Sequence, residues 1–178
     1  MALDSYVKRW AGTAFRHVPA GSPYDILDFR FAGRGLDNRW NYPGQPTLYL
    51  AGDYGIALAE FARHLRENRS PEIARQALVR KVYRLSVAVD RALDLGDVAL
   101  WAELSLRDAP GCFLSRDVSR AVAQYLRQTT AAQAILVPSI AFLDDASRKV
   151  LVLFLEKLPS DPRQFLSLAD FAGEFRVS

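Results

Sequence analysis

The chain has 178 residues and a mass of 19.9 kDa, a length that predicts one domain over residues 1–178. Half of the residues are apolar and 24% are charged, as in an ordinary soluble globular protein. The formal net charge of +3 suits an anionic small molecule or an acidic partner protein. It is far below the basic footprint of a nucleic-acid binder, so we expect no direct nucleic-acid partner.

Cysteine usage and apolar runs predict the cellular setting. Cys112 is the only cysteine, which excludes an internal disulfide and favours a reducing cytoplasm. The first ten residues contain no continuous apolar segment, so no secretory signal is expected. The longest nearly apolar run, residues 134–143, is interrupted by Pro138 and Ser139 and is too short to span a bilayer. We therefore expect a cytoplasmic protein that does not act in a membrane.

The N-terminal half predicts two short strands, an ordered loop and a long helix. Apolar and β-branched residues predict strands at 13–17 and 47–51, and glycines and prolines predict a loop over 32–46. Asp53 is a candidate N-cap, and apolar residues at helical spacing continue to Glu67. Three residues that disfavour a helix then predict its end: Asn68, Ser70 and Pro71.

The C-terminal half predicts further strands and two helices. Alternation of apolar and polar residues predicts a half-buried strand at 83–90. Helices are predicted at 98–104 and 116–128, and the apolar runs 133–137 and 150–155 are typical of central strands. No element is predicted beyond these runs. The pattern as a whole indicates an α+β fold with a mixed or antiparallel central sheet and flanking helices.

The most informative residues end three successive predicted elements. The loop supplies Arg39, the following strand supplies Tyr49, and the helix supplies Glu60. A guanidinium matches phosphate oxygens, an aromatic ring stacks on a flat ring, and a carboxylate accepts hydrogen bonds from ribose hydroxyls. Together they suit a ligand that carries phosphate, flat rings and a ribose. Arg16, inside an apolar strand, is a second candidate for phosphate.

Each of these residues also has a structural interpretation. An arginine is most often a surface charge, and Tyr49 is either a stacking residue or a cross-strand aromatic. Glu60 is alternatively a solvated helix residue beside His64. Ser139 follows a buried strand, where its hydroxyl either faces a cleft and binds the ligand or belongs to a turn.

Several other kinds of site are disfavoured. Cys112 has no companions at metal-ligand spacing, so we expect no metal. Neither histidine is placed for a Ser–His–Asp triad. Gly33 and Gly35 do not form a Gly-x-Gly-x-x-Gly motif before a helix, which disfavours a dehydrogenase.

The pattern resembles the RES domain family, whose members are mostly toxins of bacterial Xre–RES toxin–antitoxin pairs. The resemblance rests on residues between Arg16 and Ser139: Arg39-Trp40-Asn41, Gly44, Tyr49, Glu60, His64 and Pro138-Ser139. The chain departs from the family in having Asn38 before Arg39, where glycine is usual. Asparagine tolerates a left-handed backbone, so we expect the turn to survive. The segment 147–152 also replaces an Asn-Pro element, so the resemblance is weakest near the C-terminus.

The resemblance implies an ADP-ribosyltransferase-like fold and an activity on NAD+, which would be a substrate and not a cofactor. It implies a catalytic set of Glu60, Arg39, Tyr49 and Ser139, with NAD+ bound by Arg16, Arg39, Tyr49 and Ser139. It also implies an Xre-type antitoxin as partner. Cleavage of the nicotinamide–ribose bond passes through an oxocarbenium-like centre that a carboxylate stabilises, and Glu60 is the candidate.

The expected activity is therefore NAD+ glycohydrolysis or phosphorolysis, which would deplete NAD+ and arrest growth. Two alternatives remain open: a protein ADP-ribosyltransferase that uses NAD+ as donor, and an inactive interaction module of the same fold. An RNase is disfavoured because the chain has two histidines, mild charge and no stripe of basic and aromatic residues.

Overall fold

The computed structural model describes residues 2–67 and 79–176. Strands in this part of the chain are β1 (Lys8–Pro19), β2 (Thr47–Ala51), β3 (Val79–Asp94), β4 (Ala134–Pro138), β5 (Lys149–Phe154) and β6 (Leu166–Arg176). The α-helices are α1 (Tyr54–Glu67), α2 (Val98–Glu103) and α3 (Arg116–Thr129). Short 3-10 segments are Ala2–Tyr6, Gly111–Leu114, Ile140–Phe142, Leu155–Lys157 and Pro162–Gln164.

The strands form one mixed sheet that closes on itself. Their order is β1-β2-β5-β4-β3-β6, and β1 also pairs with β3. The neighbours are antiparallel except for β3 and β4, which are parallel over residues 92–94 of β3. The predicted α+β class and mixed sheet are confirmed. The closure follows from the length of β3, which is long enough to pair with β1 along one edge and with both β6 and β4 along the other.

Two apolar clusters lie on opposite faces of the central strands. Strand β5 shows the division, since Val150, Val152 and Phe154 belong to one cluster while Leu151 and Leu153 belong to the other. Side chains of a strand alternate between faces, so a strand buried on both sides needs a continuous apolar run. The apolar runs of β4 and β5 are therefore central strands, as predicted.

Helix α1 begins where the sequence predicted. The Asp53 side chain accepts a hydrogen bond from the Ile56 amide at 2.7 Å, which satisfies one of the free N–H groups of the first turn. Ile56, Ala57 and Phe61 are buried on the inner face of the helix. Glu60 lies at the edge of this buried face. Its side chain therefore reaches the segment that follows β4. No helix in the described part of the chain is long and apolar enough to cross a membrane.

Strand lengths and the C-terminal strand differ from the sequence prediction. Strands β1 and β3 extend well beyond the predicted 13–17 and 83–90, because they pair with each other continuously from Trp10 opposite Val89 to Pro19 opposite Arg80. Strand β6 was not predicted, since most of its residues are exposed and it has no apolar alternation. Its pairing with β3 determines its conformation. The predicted helix end at 68–71 lies outside the described residues.

Candidate active site

A cleft of about 490 Å³ lies between α1, β1 and the loop that precedes β2. Its volume is in the range of small-molecule sites, roughly 300–1,000 Å³. Four residues singled out from the sequence line it together: Arg16, Arg39, Tyr49 and Glu60. The fifth, Ser139, is fully buried and lies directly behind Glu60. The fold thus brings the predicted residues to one place from β1, the loop, β2, α1 and the end of β4.

The Glu60 carboxylate is held by three groups from two parts of the chain. Its Oε1 accepts hydrogen bonds from the Ser139 hydroxyl at 2.6 Å and from the Ala141 amide at 3.2 Å. Its Oε2 accepts from Arg63 Nη2 at 3.0 Å, one turn further along α1. The Glu60 side chain is 22% exposed, so it is held firmly yet still reaches the cleft. Such a fixed carboxylate does not have to reorganise when charge develops next to it.

Ser139 lies in the turn after β4, and its hydroxyl contacts Glu60. Its amide donates to the Arg148 carbonyl at 2.8 Å and its carbonyl accepts from the Phe142 amide at 3.0 Å, so its backbone starts the turn after β4. Its hydroxyl donates to Glu60. The structure therefore places Ser139 as a positioning residue for Glu60, and direct binding of a ligand by Ser139 stays a prediction.

The Tyr49 hydroxyl joins β2 to the loop that carries Arg39. It accepts a hydrogen bond from the Trp40 amide at 2.9 Å and donates to Asn41 Oδ1 at 2.7 Å. Asn41 is 1% exposed and donates through Nδ2 to the Gly33 carbonyl at 3.0 Å. Burial raises the pKa of the Tyr49 phenol, so it stays protonated at neutral pH. The ring still lines the cleft, and stacking on a ligand stays a prediction.

The backbone conformations at Gly33 and Asn38 differ in what they require of the residue. Gly33 has φ +82°, and a Cβ there would lie 1.9 Å from the Gln45 carbonyl oxygen, so only glycine fits. Asn38 does not adopt a left-handed backbone, since Ser105 is the only described non-glycine residue with a positive φ. Asn38 replaces the usual glycine without needing the conformation for which glycine is favoured.

The Arg39 side chain is anchored by two backbone carbonyls, and some of its N–H donors have no acceptor among the described residues. Its Nη1 donates to the Phe113 and Leu114 carbonyls, both at 2.8 Å, which ties the loop to the 3-10 segment before α3. Within residues 2–67 and 79–176, Nη2 has no acceptor and the buried Nε has none either. Burial lowers the pKa of Arg39, and the positive charge of Arg63 lowers it further. Arg39 therefore keeps donors for an anionic ligand.

Arg16 is anchored in a similar way on the other side of the cleft. Its Nη1 donates to the Ile26 carbonyl and its Nη2 to the Asp28 carbonyl, and the guanidinium lies 4.7 Å from the Phe29 ring centroid. Burial lowers its pKa to about 10, so it remains charged at neutral pH. These contacts stabilise the start of the β1–β2 loop, and a role in phosphate binding stays a prediction.

Sequence reasoning missed most of the positive charge of the cleft. Five arginines line it, against the three carboxylates of Asp37, Glu60 and Glu67; the arginines are Arg16, Arg39, Arg63, Arg80 and Arg116. An excess of positive charge in a partly enclosed cleft attracts anions. In the described part of the chain, no three His, Cys, Asp or Glu side chains are grouped to hold a metal. The electrostatics favour an anionic organic ligand.

His17 was also missed, although it faces the cleft next to Arg16. Its Nδ1 accepts a hydrogen bond from Arg80 Nε at 3.0 Å, and its ring packs edge-on against Phe61 with centroids 4.9 Å apart. Burial lowers the pKa of His17 to about 3, and the charges of Arg80 and Arg16 act in the same direction. His17 is therefore neutral at physiological pH. Only the register that sets Pro19 opposite Arg80 brings the two side chains together.

Comparison with known proteins identifies the family of this chain and a structure with the same fold. The RES domain family model matches residues 7–174, so the chain belongs to the RES family and the resemblance is confirmed. A solved structure that matches is the crystal structure of the M. tuberculosis MbcT–MbcA toxin–antitoxin complex. The TM-score is 0.69 at 18% identity, with 97% of this chain and 87% of that chain covered. This similarity shows a shared fold. The search of curated proteins found no match.

Tyr49→Phe should destabilise the protein, because it leaves the Trp40 amide and the Asn41 side-chain oxygen without their partner. Leaving buried polar groups unpaired costs about 1–3 kcal/mol. Urea unfolding of the variant measures the loss. Tyr42→Phe is the matched control, since Tyr42 is 43% exposed and its change should stay within roughly 0.5 kcal/mol. Equal effects of the two changes would show that the Tyr49 hydroxyl does not hold the loop.

His17 should make folding stability sensitive to mild acid. The unfolded chain takes up a proton near the ordinary pKa of 6.5, whereas the folded pKa is about 3, so the free energy of unfolding falls as the pH drops below 6.5. Between pH 7 and pH 5 the parent should lose roughly 2 kcal/mol more than His17→Asn, which keeps an acceptor for Arg80.

NMR of the imidazole protons provides the independent check of His17. The chain has two histidines, so a His64→Asn variant leaves a single imidazole to follow. Its chemical shift should not titrate between pH 8 and pH 5. A midpoint near pH 6.5 would mean that His17 is accessible to water and is not held neutral.

Proposed function

We propose that this protein is an enzyme that breaks the nicotinamide–ribose bond of NAD+. The observation that carries the proposal is the Glu60 carboxylate, held by Ser139, Ala141 and Arg63 at the wall of a cleft rich in arginine. NAD+ unites the groups that such a cleft would bind, which are a diphosphate, a ribose beside a glycosidic bond, and flat rings. Membership of the RES family supports the same substrate.

Glu60 would act on the charge that develops at the ribose. As the bond between ribose C1′ and the nicotinamide nitrogen breaks, the electron pair leaves with neutral nicotinamide and positive charge spreads over C1′ and the ring oxygen. A fixed carboxylate stabilises that charge more in the transition state than in the ground state. An acceptor oxygen then bonds to C1′, the proton of a water or hydroxyl acceptor passes to bulk water, and an ADP-ribosyl product results.

Recognition of the rest of NAD+ would use the remaining residues of the predicted set. Arg39 keeps Nη2 for a phosphate oxygen, and Arg16 adds a fixed positive charge across the cleft. The Tyr49 ring provides an aromatic surface for the nicotinamide. NAD+ enters this scheme as substrate, consistent with a sequence that lacks a dinucleotide-binding glycine motif.

We further propose that the protein is the toxin of a toxin–antitoxin pair and acts in the cytoplasm by depleting NAD+. Family membership and the shared fold with a chain of a toxin–antitoxin complex support this role. Its partner would be an antitoxin of the Xre type, and the antitoxin would keep the enzyme inactive until it is removed.

Glu60→Gln should abolish most turnover and leave binding nearly intact. Loss of one well-placed electrostatic group costs roughly 10²–10³ in rate. The measurement is nicotinamide release from NAD+, with NAD+ affinity determined in parallel. Glu67→Gln is the matched control, because Glu67 also pairs with Arg63, at 2.5 Å, and also lines the cleft. Its rate should stay within about threefold of the parent, as for a partly exposed ion pair.

Product analysis separates the competing functions in the same experiment. Free ADP-ribose or its phosphate identifies water or phosphate as acceptor, whereas label retained on protein identifies an ADP-ribosyltransferase. A folded parent protein that releases no nicotinamide would contradict the proposed enzyme. A Glu60→Gln variant with a rate close to the parent's would remove Glu60 from catalysis.

Expression without a partner should lower cellular NAD+ and halt growth. The Glu60→Gln chain, expressed to the same soluble level, is the control and should permit growth. Cell density and NAD+ content are followed together after induction. Arrest at normal NAD+ content would point to modification of proteins, and normal growth with soluble parent protein would contradict the toxin role.

A further inference from the structure

Arg80 lies in the cleft with its guanidinium held on two sides. It is near the start of β3, opposite Pro19 of β1 and Phe175 of β6. The guanidinium carbon lies 4.5 Å from the centroid of the Phe61 ring, and Nε donates to His17 Nδ1 at 3.0 Å. A cation over an aromatic face and a hydrogen bond to a neutral imidazole fix the direction of the guanidinium plane.

The outer nitrogens of Arg80 have no hydrogen-bond acceptor in the part of the chain that the structure describes. Among residues 2–67 and 79–176, His17 is the only hydrogen-bond acceptor for Arg80, and it uses Nε, which leaves both Nη groups. Arg63, by contrast, is occupied by Glu60 and Glu67. No described carboxylate accompanies Arg80, and the neighbouring charge of Arg16 adds to its own. Asp28 and Asp25 partly offset the charge of Arg16, whereas Arg80 keeps its charge without a described carboxylate partner and so forms a site for an anion.

A second cavity, of about 350 Å³, adjoins the catalytic cleft. The two share the residues that separate them, which are Arg16, His17, Asn38, Tyr49 and Arg80. The second cavity contains two aromatic rings from the β1–β2 loop, Tyr24 and Phe31, whose centroids are 5.5 Å apart. Asp25 and Asp28 also line it. Asp28 is already paired with Arg30 at 2.6 Å, which leaves Asp25 as the carboxylate for a ribose hydroxyl beside the two rings that suit a base, and these groups together have the composition of a nucleoside site.

We infer that Arg80 binds the diphosphate of a dinucleotide that spans both cavities, with one nucleoside on each side of it. The inference rests on the proposed function, in which the nicotinamide riboside half lies next to Glu60. The adenosine half then occupies the cavity of Tyr24 and Phe31. Arg80 is suited to this role because its fork matches two phosphate oxygens and is already oriented, so little conformational freedom is lost on binding. His17 is the positioning residue for Arg80.

Arg80→Met tests the anion site directly, with inorganic pyrophosphate as the probe in calorimetric titrations. Loss of charge-assisted hydrogen bonds should weaken pyrophosphate binding by roughly 10- to 100-fold. Arg84→Met is the matched control, because Arg84 lies four residues further along β3, is 49% exposed, and pairs with Asp170 outside both cavities. Arg84→Met should bind pyrophosphate as the parent does. If Arg80→Met does not fold, Arg80→Lys replaces it, since lysine keeps the charge but lacks the guanidinium fork. The pyrophosphate affinity of Arg80→Lys should lie between that of the parent and that expected for Arg80→Met.

The same variants distinguish failure of this inference from failure of the proposed function. The parent should prefer NAD+ to nicotinamide riboside, which lacks the diphosphate, and Arg80→Met should reduce that ratio of kcat/KM by roughly 10- to 100-fold. Pyrophosphate binding that depends on Arg80 supports the anion site even if NAD+ is not cleaved. A parent that binds no pyrophosphate, or an Arg80→Met or Arg80→Lys variant that binds it as tightly as the parent, overturns the inference. The inference is also overturned if Arg84→Met loses as much pyrophosphate affinity as Arg80→Met.

Discussion

The hydrogen bond from the Ser139 hydroxyl to Glu60 Oε1 joins helix α1 to the end of strand β4. The Ala141 amide reinforces it, and Arg63 holds the other carboxylate oxygen from within the helix. A carboxylate on an isolated helix would sample several rotamers, and fixing it in one of them costs conformational free energy. In the folded protein this junction has already ordered Glu60, and together with the buried face of Ile56, Ala57 and Phe61 it joins α1 to the sheet at the wall of the cleft.

The arginines around the cleft give some of their donors to other parts of the protein, and other donors have no partner among the described residues. Arg16 and Arg39 give several donors to backbone carbonyls and so hold the two ends of the β1–β2 loop. Arg127 shows the purely structural alternative, since its buried guanidinium pairs with Glu156 at 3.3 Å and Thr47 at 2.7 Å. Arg80 has no such carboxylate in the described chain. Concentrating uncompensated positive charge opposes folding, which makes an anionic ligand the simplest reason for it.

Local patterns predicted the elements that carry the site. The bounds of β2 agree with the prediction, and α1 begins at its predicted cap, because a short apolar run and an N-cap are signals read within a few residues. Tyr49 lies on β2, Glu60 on α1 and Arg39 in the loop before β2, so the candidate residues were found from the sequence, but only the fold shows that they line one cleft. The roles of single side chains were not predictable either. The Tyr49 hydroxyl and the Ser139 hydroxyl bind other parts of the protein, which local spacing does not show.

The sequence alone therefore determined the α+β class, the RES family and four residues that line the cleft, Arg16, Arg39, Tyr49 and Glu60, since these follow from short-range patterns. Tertiary structure decided the remainder. Strand β6 exists because β3 offers it an edge, and Arg80 reaches the cleft because the register of β1 and β3 sets it opposite Pro19. The second cavity is enclosed by a loop whose path depends on Arg16 and Asn41. These features arise from contacts between residues far apart in the chain, where hydrogen-bonded pairing and not local propensity selects the conformation.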